Sequence, residues 1–333
     1  MAEDPTTPAD AEAARWNYCP PPPVTLNPLF AWPPDPRGVL RWYAAYWLVI
    51  STTTLTVVLA ILVWAFWLPR LTSEAYQGWS PLGRIWLSLL VPQIVVAGGL
   101  HLWLYRFTGQ GRDLKYDPRD LARDNGTFSF RDQVKDNMFW TLASGISFAT
   151  LFAAAWFYGA ALGWLPVARF DQDPVWVLAL FVLIPIWGSF HFYWVHRWLH
   201  WPPLYRLAHA LHHRNVNVGP WSGISMHPVE HAVYFTSFLI FFVLPVHPVH
   251  VMFHAYLYTL HPVCSHAGFD ALVRNGKRQA ELGDFFHQLH HRYFECNYGT
   301  VEMPWDRWFG TYHDGTDTAT RKTRTRKTQM YAR

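Results

Sequence analysis

The chain has 333 residues, of which 51% are apolar, 18% aromatic and only 15% charged, with a formal net charge of +4. A soluble globular chain carries roughly 25% charged residues; this depletion and apolar content exclude a wholly disordered chain, and so weak and dispersed a charge does not point to nucleic acid. Cys19, Cys264 and Cys296 are odd in number and scattered, which excludes a disulfide scaffold. Two residue types are in excess: 20 Trp, suited to a membrane–water interface, and 18 His.

Residues 1–36 hold acidic residues, Ala and the run Pro20, Pro21, Pro22 and Pro23. The basic start and apolar middle of a secretory signal are missing, so a flexible Pro-rich cytosolic arm is expected. Residues 37–174 read as a transmembrane region, with apolar spans at 43–68, 84–105 and 137–163. A fourth span, 175–199, opens the candidate catalytic region 175–315. Ala232 to Leu260 is apolar but broken by Pro245 and Pro248, which predicts a re-entrant or interfacial hairpin. Residues 316–333 form a basic tail, expected to be solvated near anionic headgroups. Trp194, Trp198, Trp201 and Trp221 fit either an apolar access path or interfacial anchoring.

Loop charge sets the expected topology. Loop 106–135 holds seven Lys and Arg, against three (Arg70, Arg84, Arg169) in the loops on the other side. Positive loops stay in the cytosol, so both termini and the His-rich half are expected there. The predicted architecture is all-α and integral to the membrane: about four transmembrane helices, the hairpin, and a cytosolic helical His-rich cap. A bacterial inner membrane and an endoplasmic reticulum both fit.

Of the 18 His, only His101 precedes residue 190. His196 and His200 are four apart, while His209, His212 and His213 form His-x-x-His-His, as do His287, His290 and His291. On a helix these spacings share one face. Neutral imidazole suits Zn, Cu, Fe and Ni, and eight such ligands exceed one ion, so two metal ions are implied. All-nitrogen donors argue against a structural zinc finger. His261 and His266 are five apart, but Pro262 can break the helix between them, so both are expected as further ligands. His191 is off the His196/His200 face and is expected to support the site from behind, as are His227, Glu230 and His231. The run 227–231 also reads His-x-x-Glu-His, so a membrane zinc hydrolase using it is the competing function. A metal-binding or transport protein without catalysis is a third reading.

The runs HRWLH at 196–200, HALHH at 209–213, HPVEH at 227–231, SHAGF at 265–269 and HQLHH at 287–291 are followed by NYGTVEMPWDRWFGTY at 297–312. In this order they resemble the fatty acid hydroxylase / sterol desaturase superfamily of membrane di-iron oxygenases. The closing Asn-Tyr-Gly and Trp-Asp-Arg-x-x-Gly-Thr look most like its sterol C5-desaturase branch. The resemblance implies that the eight box histidines hold two irons, with zinc as a substitute. It also implies that dioxygen is the co-substrate and that a C–H bond of a membrane lipid, sterol-like or fatty-acyl, is hydroxylated or desaturated. No dinucleotide fingerprint, Cys cluster or fused haem-binding signature is present. Electrons are therefore expected from a separate cytochrome b5-like or ferredoxin-like protein.

Overall fold

The computed structural model describes residues 16–44 and 51–331. A short helix α1 (Pro36–Tyr43) starts where Asp35 accepts from the Arg37 amide and Pro36 presets the first turn. Helix α2 (Thr52–Phe66) is capped by Ser51, whose hydroxyl accepts from the Thr54 amide at 3.2 Å. Three helices follow that are long and apolar enough to cross a membrane: α3 (Ser80–Arg106), α4 (Gln133–Ala161) and α5 (Pro174–Leu199). They correspond to the second, third and fourth expected spans. The first appears as α2, which has 15 described residues, and residues 45–50 lie outside the described set. On α5, Val175, Leu178 and Val182 are exposed, the side-chain pattern of a lipid-facing surface.

After α5 the chain turns through a short, partly π-helical segment α6 (202–213). The apolar stretch expected as a hairpin folds as α7 (Pro228–Phe242) and α8 (Pro248–Thr259), with the break at Pro245 and Pro248. Helix α8 is enclosed by α2, α4 and α5, and nearly all of its residues are buried. The second half of the stretch therefore lies inside the bundle and not on its surface. The core runs through Trp156, Phe235, Phe238, Phe253 and Tyr256.

The cap continues with α9 (His261–Ser265), a two-stranded antiparallel hairpin, α10 (Phe285–Tyr293), α11 (Trp305–Trp308) and α12 (Asp317–Tyr331). The hairpin pairs β1 (Ala271–Arg274) with β2 (Lys277–Glu281) and is an addition to the all-helical expectation. Its turn, Asn275-Gly276, has positive φ at both residues, as a two-residue hairpin turn requires.

The arm expected to be flexible is held in place over its described part. The Asn17 side chain donates to the carbonyls of Arg112 and Lys115 at 2.9 and 2.8 Å, and the Val24 amide donates to Asp314 at 2.8 Å. Trp16, Tyr18 and Val24 pack on the buried cluster of Tyr116, Phe285 and Leu289. Residues 1–15 lie outside the described set. The tail expected as a solvated arm is helical in α12, and Arg326 ties it to the carbonyls of Glu295 and Gly310 at 2.6 Å.

Candidate metal centre

Nine imidazoles converge in the cap as two groups. His196, His200, His209, His213 and His290 form one; His212, His266, His287 and His291 form the other, and within each group the nearest ligand atoms lie within 4.8 Å of one another. All nine side chains are buried. The groups cut across the sequence boxes. Each His-x-x-His-His run feeds both, because neighbouring side chains on a helix diverge by about 100°. In α6 the π-turn Tyr205–His209 precedes the α-helical turn Ala210–His213, across which His209 and His213, four residues apart, share a face and join the first group.

What lies behind the rings fixes their protons. His196 Nδ1 lies 2.7 Å from the Tyr298 carbonyl oxygen, and His290 Nδ1 lies 2.6 Å from that of Cys296. His266 Nδ1 lies 2.9 Å from the Pro262 carbonyl. A carbonyl only accepts, so each of these imidazoles donates through Nδ1 and carries its lone pair on Nε2. His209 Nδ1 faces the Glu230 carboxylate at 2.7 Å, and His200 Nδ1 faces Glu295 at 3.4 Å. Glu295 in turn accepts the Tyr298 hydroxyl at 2.6 Å.

The Nε2 atoms then face one another. The His290–His213, His200–His213 and His209–His200 separations are 3.0, 3.1 and 3.1 Å, and in the second group His266–His291 and His287–His266 are 3.0 and 3.2 Å. His196 Nε2 has no hydrogen-bond partner among the described residues. Lone pairs aimed at one another in a dry pocket repel unless a cation sits between them, so the donor set fits one metal ion per group. Burial keeps the ligands neutral, holding His209 down at about 3 and His212 at about 4, with His213, His287, His290 and His291 also well below the usual imidazole range.

His261 requires a correction. It joins neither group; it sits half-buried at the other end of α9 with Nε2 3.7 Å from a Glu302 carboxylate oxygen. The helix expected to break at Pro262 continues to Ser265, so only His266, at its end, turns into the cluster.

Glu230 does reach a cluster histidine. His231 does not: its Nε2 faces the Ile224 carbonyl at 3.0 Å and its Nδ1 the Ser144 hydroxyl at 2.9 Å. His227 caps α7 by accepting from the Val229 amide. With both His231 nitrogens engaged, the His-x-x-Glu-His run forms no joint metal site among the described residues, and the zinc-hydrolase reading falls. His191, expected behind the site, instead meets Thr236 at 2.9 Å and Tyr258 at 3.4 Å.

The closing motif acts through Asp306. Its carboxylate accepts the Tyr298 and Gly299 amides at 2.8 and 2.7 Å and the Thr311 hydroxyl at 2.6 Å. That grip sets the Tyr298 carbonyl against His196. A Cβ at Gly299 would lie 2.9 Å from Asp306 Oδ2, so the position needs glycine. Phe294, with φ of +72°, leaves α10 in a rarely occupied conformation and lays its ring 4.8 Å from that of His213. Asp306 is the acid of the closing Trp-Asp-Arg motif, whereas Phe294 and Glu295 fall between the quoted runs and carry no signal in the sequence.

A cavity of about 250 Å³ reaches the cluster at His196, His209, His212, His266 and His287. Its walls are largely apolar, among them Phe192, Val195, Leu199, Leu257 and Met303. Leu29, Phe30, Trp42 and Tyr43 from the N-terminal segment close one side. Trp194, Trp198, Trp201 and Trp221 do not line it; the first three are exposed, as anchoring at an interface requires.

Fold and site together define a helical membrane protein with a buried two-group histidine centre beneath an apolar cavity. Residues 181–311 match the sequence profile of the fatty acid hydroxylase family. The chain is 36% identical over 121 residues to the Delta(7)-sterol 5(6)-desaturase of Saccharomyces cerevisiae, covering 36% of this chain and 32% of that one. It is 34% identical over 136 residues to a Delta(7)-sterol 5(6)-desaturase of Gibberella zeae, covering 40% and 37%, and 29% identical over 140 residues to that of Eremothecium gossypii, covering 41% and 37%. The aligned part thus spans about a third of the length of these relatives. No solved structure matches. Over residues 181–311, then, this chain is similar to the fatty acid hydroxylase family, and the relatives it matches there are sterol desaturases.

Proposed function

We propose that the chain is a dioxygen-dependent oxidoreductase that hydroxylates or desaturates a C–H bond of a membrane lipid. The observation that carries this reading is the position of the nine converging imidazoles at the end of an apolar cavity. His196, His200, His209, His213 and His290 would hold one iron, and His212, His266, His287 and His291 the other. Two irons bound there would supply dioxygen activation and hydrogen abstraction from an unactivated carbon.

The protein's own part is positional. Tyr298, Cys296, Pro262, Glu230 and Glu295 hold the ring tautomers, the burial keeps the donors unprotonated, and the apolar walls exclude water and orient the lipid. Hydroxylation takes one dioxygen, two electrons and two protons to an alcohol and one water; desaturation takes the same inputs to an alkene and two waters. The relatives' names favour desaturation of a sterol-like lipid. A separate redox protein would supply the electrons, and the exposed cations of loop 106–135, Arg112, Arg119 and Arg123 among them, offer it an acidic-partner dock on the proposed cytosolic side.

The test is lipid mass spectrometry of cells expressing the full chain in air, beside a His290→Ala control. A lipid gaining 16 mass units or losing two, only with the intact chain, is the expected result. Intact, iron-loaded protein supplied with a Δ7-sterol, a reductase and its electron carrier, and leaving every lipid unchanged, would overturn the reading.

A further inference from the structure

The polar groups lining the cavity can be sorted by whether their hydrogen bonds are already made. Asn27 is engaged with Tyr43, Leu29 and the Glu302 carbonyl. Ser189 meets Thr300 at 3.1 Å and Trp305 at 3.0 Å. The Tyr258 hydroxyl donates to Gly188 at 2.9 Å, Asp284 accepts the His287 amide, and Ser265 donates to Pro262. Glu230 is committed to His209 through Oε1; its Oε2 is also without a partner among the described residues, but it stands against the first histidine group and not at the far end of the cavity.

His261 and Glu302 differ from these. They face each other at 3.7 Å, beyond hydrogen-bond length, and Glu302 Oε2 is buried with no partner among the described residues. Leaving a buried carboxylate oxygen unpaired is unfavourable, so a donor arriving with a ligand would relieve it. The pair also lies where the apolar cavity meets a second, smaller one of about 70 Å³, lined by Ser51, Thr52, Ser265, Glu281 and Asp284. One end of the apolar cavity is therefore polar. His261 precedes His266 by five residues on α9, about 7.5 Å along a helix axis, which keeps this polar end close to the second histidine group.

Resting on the function proposed above, we infer that the His261–Glu302 pair anchors the substrate's hydroxyl group and so selects lipids oxidised within a few bonds of that hydroxyl. The lipid hydroxyl donates to Glu302 Oε2, and His261 steadies the other carboxylate oxygen. Acyl chains oxidised far from any hydroxyl are poor substrates, because no donor reaches the carboxylate.

The probes are a Δ7-sterol and its O-methyl ether, which keeps the shape and removes the donor. Each is presented to full-length, iron-loaded protein in lipid nanodiscs with a reductase and electron carrier. A hydrogen bond to a charged group corresponds to roughly ten-fold or more in affinity. The intact protein is expected to show a KM for the ether at least ten-fold above that for the free alcohol. Glu302→Ala is expected to raise KM for the alcohol to the level of the ether, with a smaller fall in kcat, and Glu302→Gln, which keeps an acceptor, to restore part of the difference. Iron content and thermal melting report whether the variants fold. Equal KM for alcohol and ether in the intact protein, or a Glu302→Ala defect in kcat alone, would overturn the anchor and leave lipid oxidation standing. Oxidation of neither probe, with neither bound, would overturn both.

Discussion

Two sets of buried histidines share this molecule and are wired in opposite ways. In the cap, His196, His266 and His290 spend Nδ1 on backbone carbonyls and aim Nε2 at other histidines. Among the apolar helices, His250 places Nε2 2.9 Å from the Val177 carbonyl and accepts the His247 amide on Nδ1, and His231 is likewise engaged on both nitrogens. Both sets are buried and rich in aromatic neighbours. What separates them is whether a lone pair is left over and whether several leftover lone pairs meet. Burial alone does not mark a ligand; convergence of unspent lone pairs does.

The strongest way to break this contrast is to remove one cap imidazole. If the proposed di-iron reading holds, His290→Ala is expected to lower bound iron from two per chain to one or none and to reduce turnover by at least about a hundred-fold, because it takes a proposed ligand from a site with few substitutes. Metal analysis of the purified variant beside its activity checks it. Two irons retained in His290→Ala would show that the first group is not the metal site.

A subtler change tests the backing rather than the ligands. Asp306→Ala removes the carboxylate that accepts the Tyr298 and Gly299 amides, so the Tyr298 carbonyl is no longer held against His196. Loss of such outer support typically costs about 10–100-fold in metal affinity or activity. The expected result is weaker iron retention against a chelator, with the helical content kept. Unchanged retention would mean that the His196 tautomer is set by something other than this loop.

Much of this site was legible before the fold was. Spacings of three and four put ligand-bearing residues on single helical faces, and the three boxes carried eight of the nine converging histidines. The division into five and four was not legible, because adjacent residues such as His212 and His213 go to different groups only once three helices are packed together. His261 and His266 looked equivalent in sequence, and the length of α9 decided between them. The carbonyl acceptors at Tyr298 and Cys296 belong to the backbone, which carries no residue-type signature. The β-hairpin was signalled by Asn275-Gly276, but charged residues on both sides masked the usual alternation of a strand. The spans were visible as apolar runs, while the burial of α8 at the centre of the bundle depends on which helices surround it.

The smallest expected effect comes from the other histidine set, and it is the sharpest control. His254 lies buried on α8 with Nε2 2.8 Å from the Ser237 hydroxyl and its ring 4.4 Å from that of Tyr258. His254→Ala leaves the Ser237 hydroxyl without this partner and opens a small void, for a loss of about 2–4 kcal/mol in stability. Tyr258 lines the cavity, so a modest change in KM accompanies the lower melting temperature. The iron content should not move, because no lone pair of this residue reaches either group. His254 Nδ1 has no partner among the described residues, so convergence alone separates this residue from the cap set; if His254→Ala shed an iron while retaining its fold, convergence would not be what marks a ligand, and the metal-binding region would have to extend down among the apolar helices.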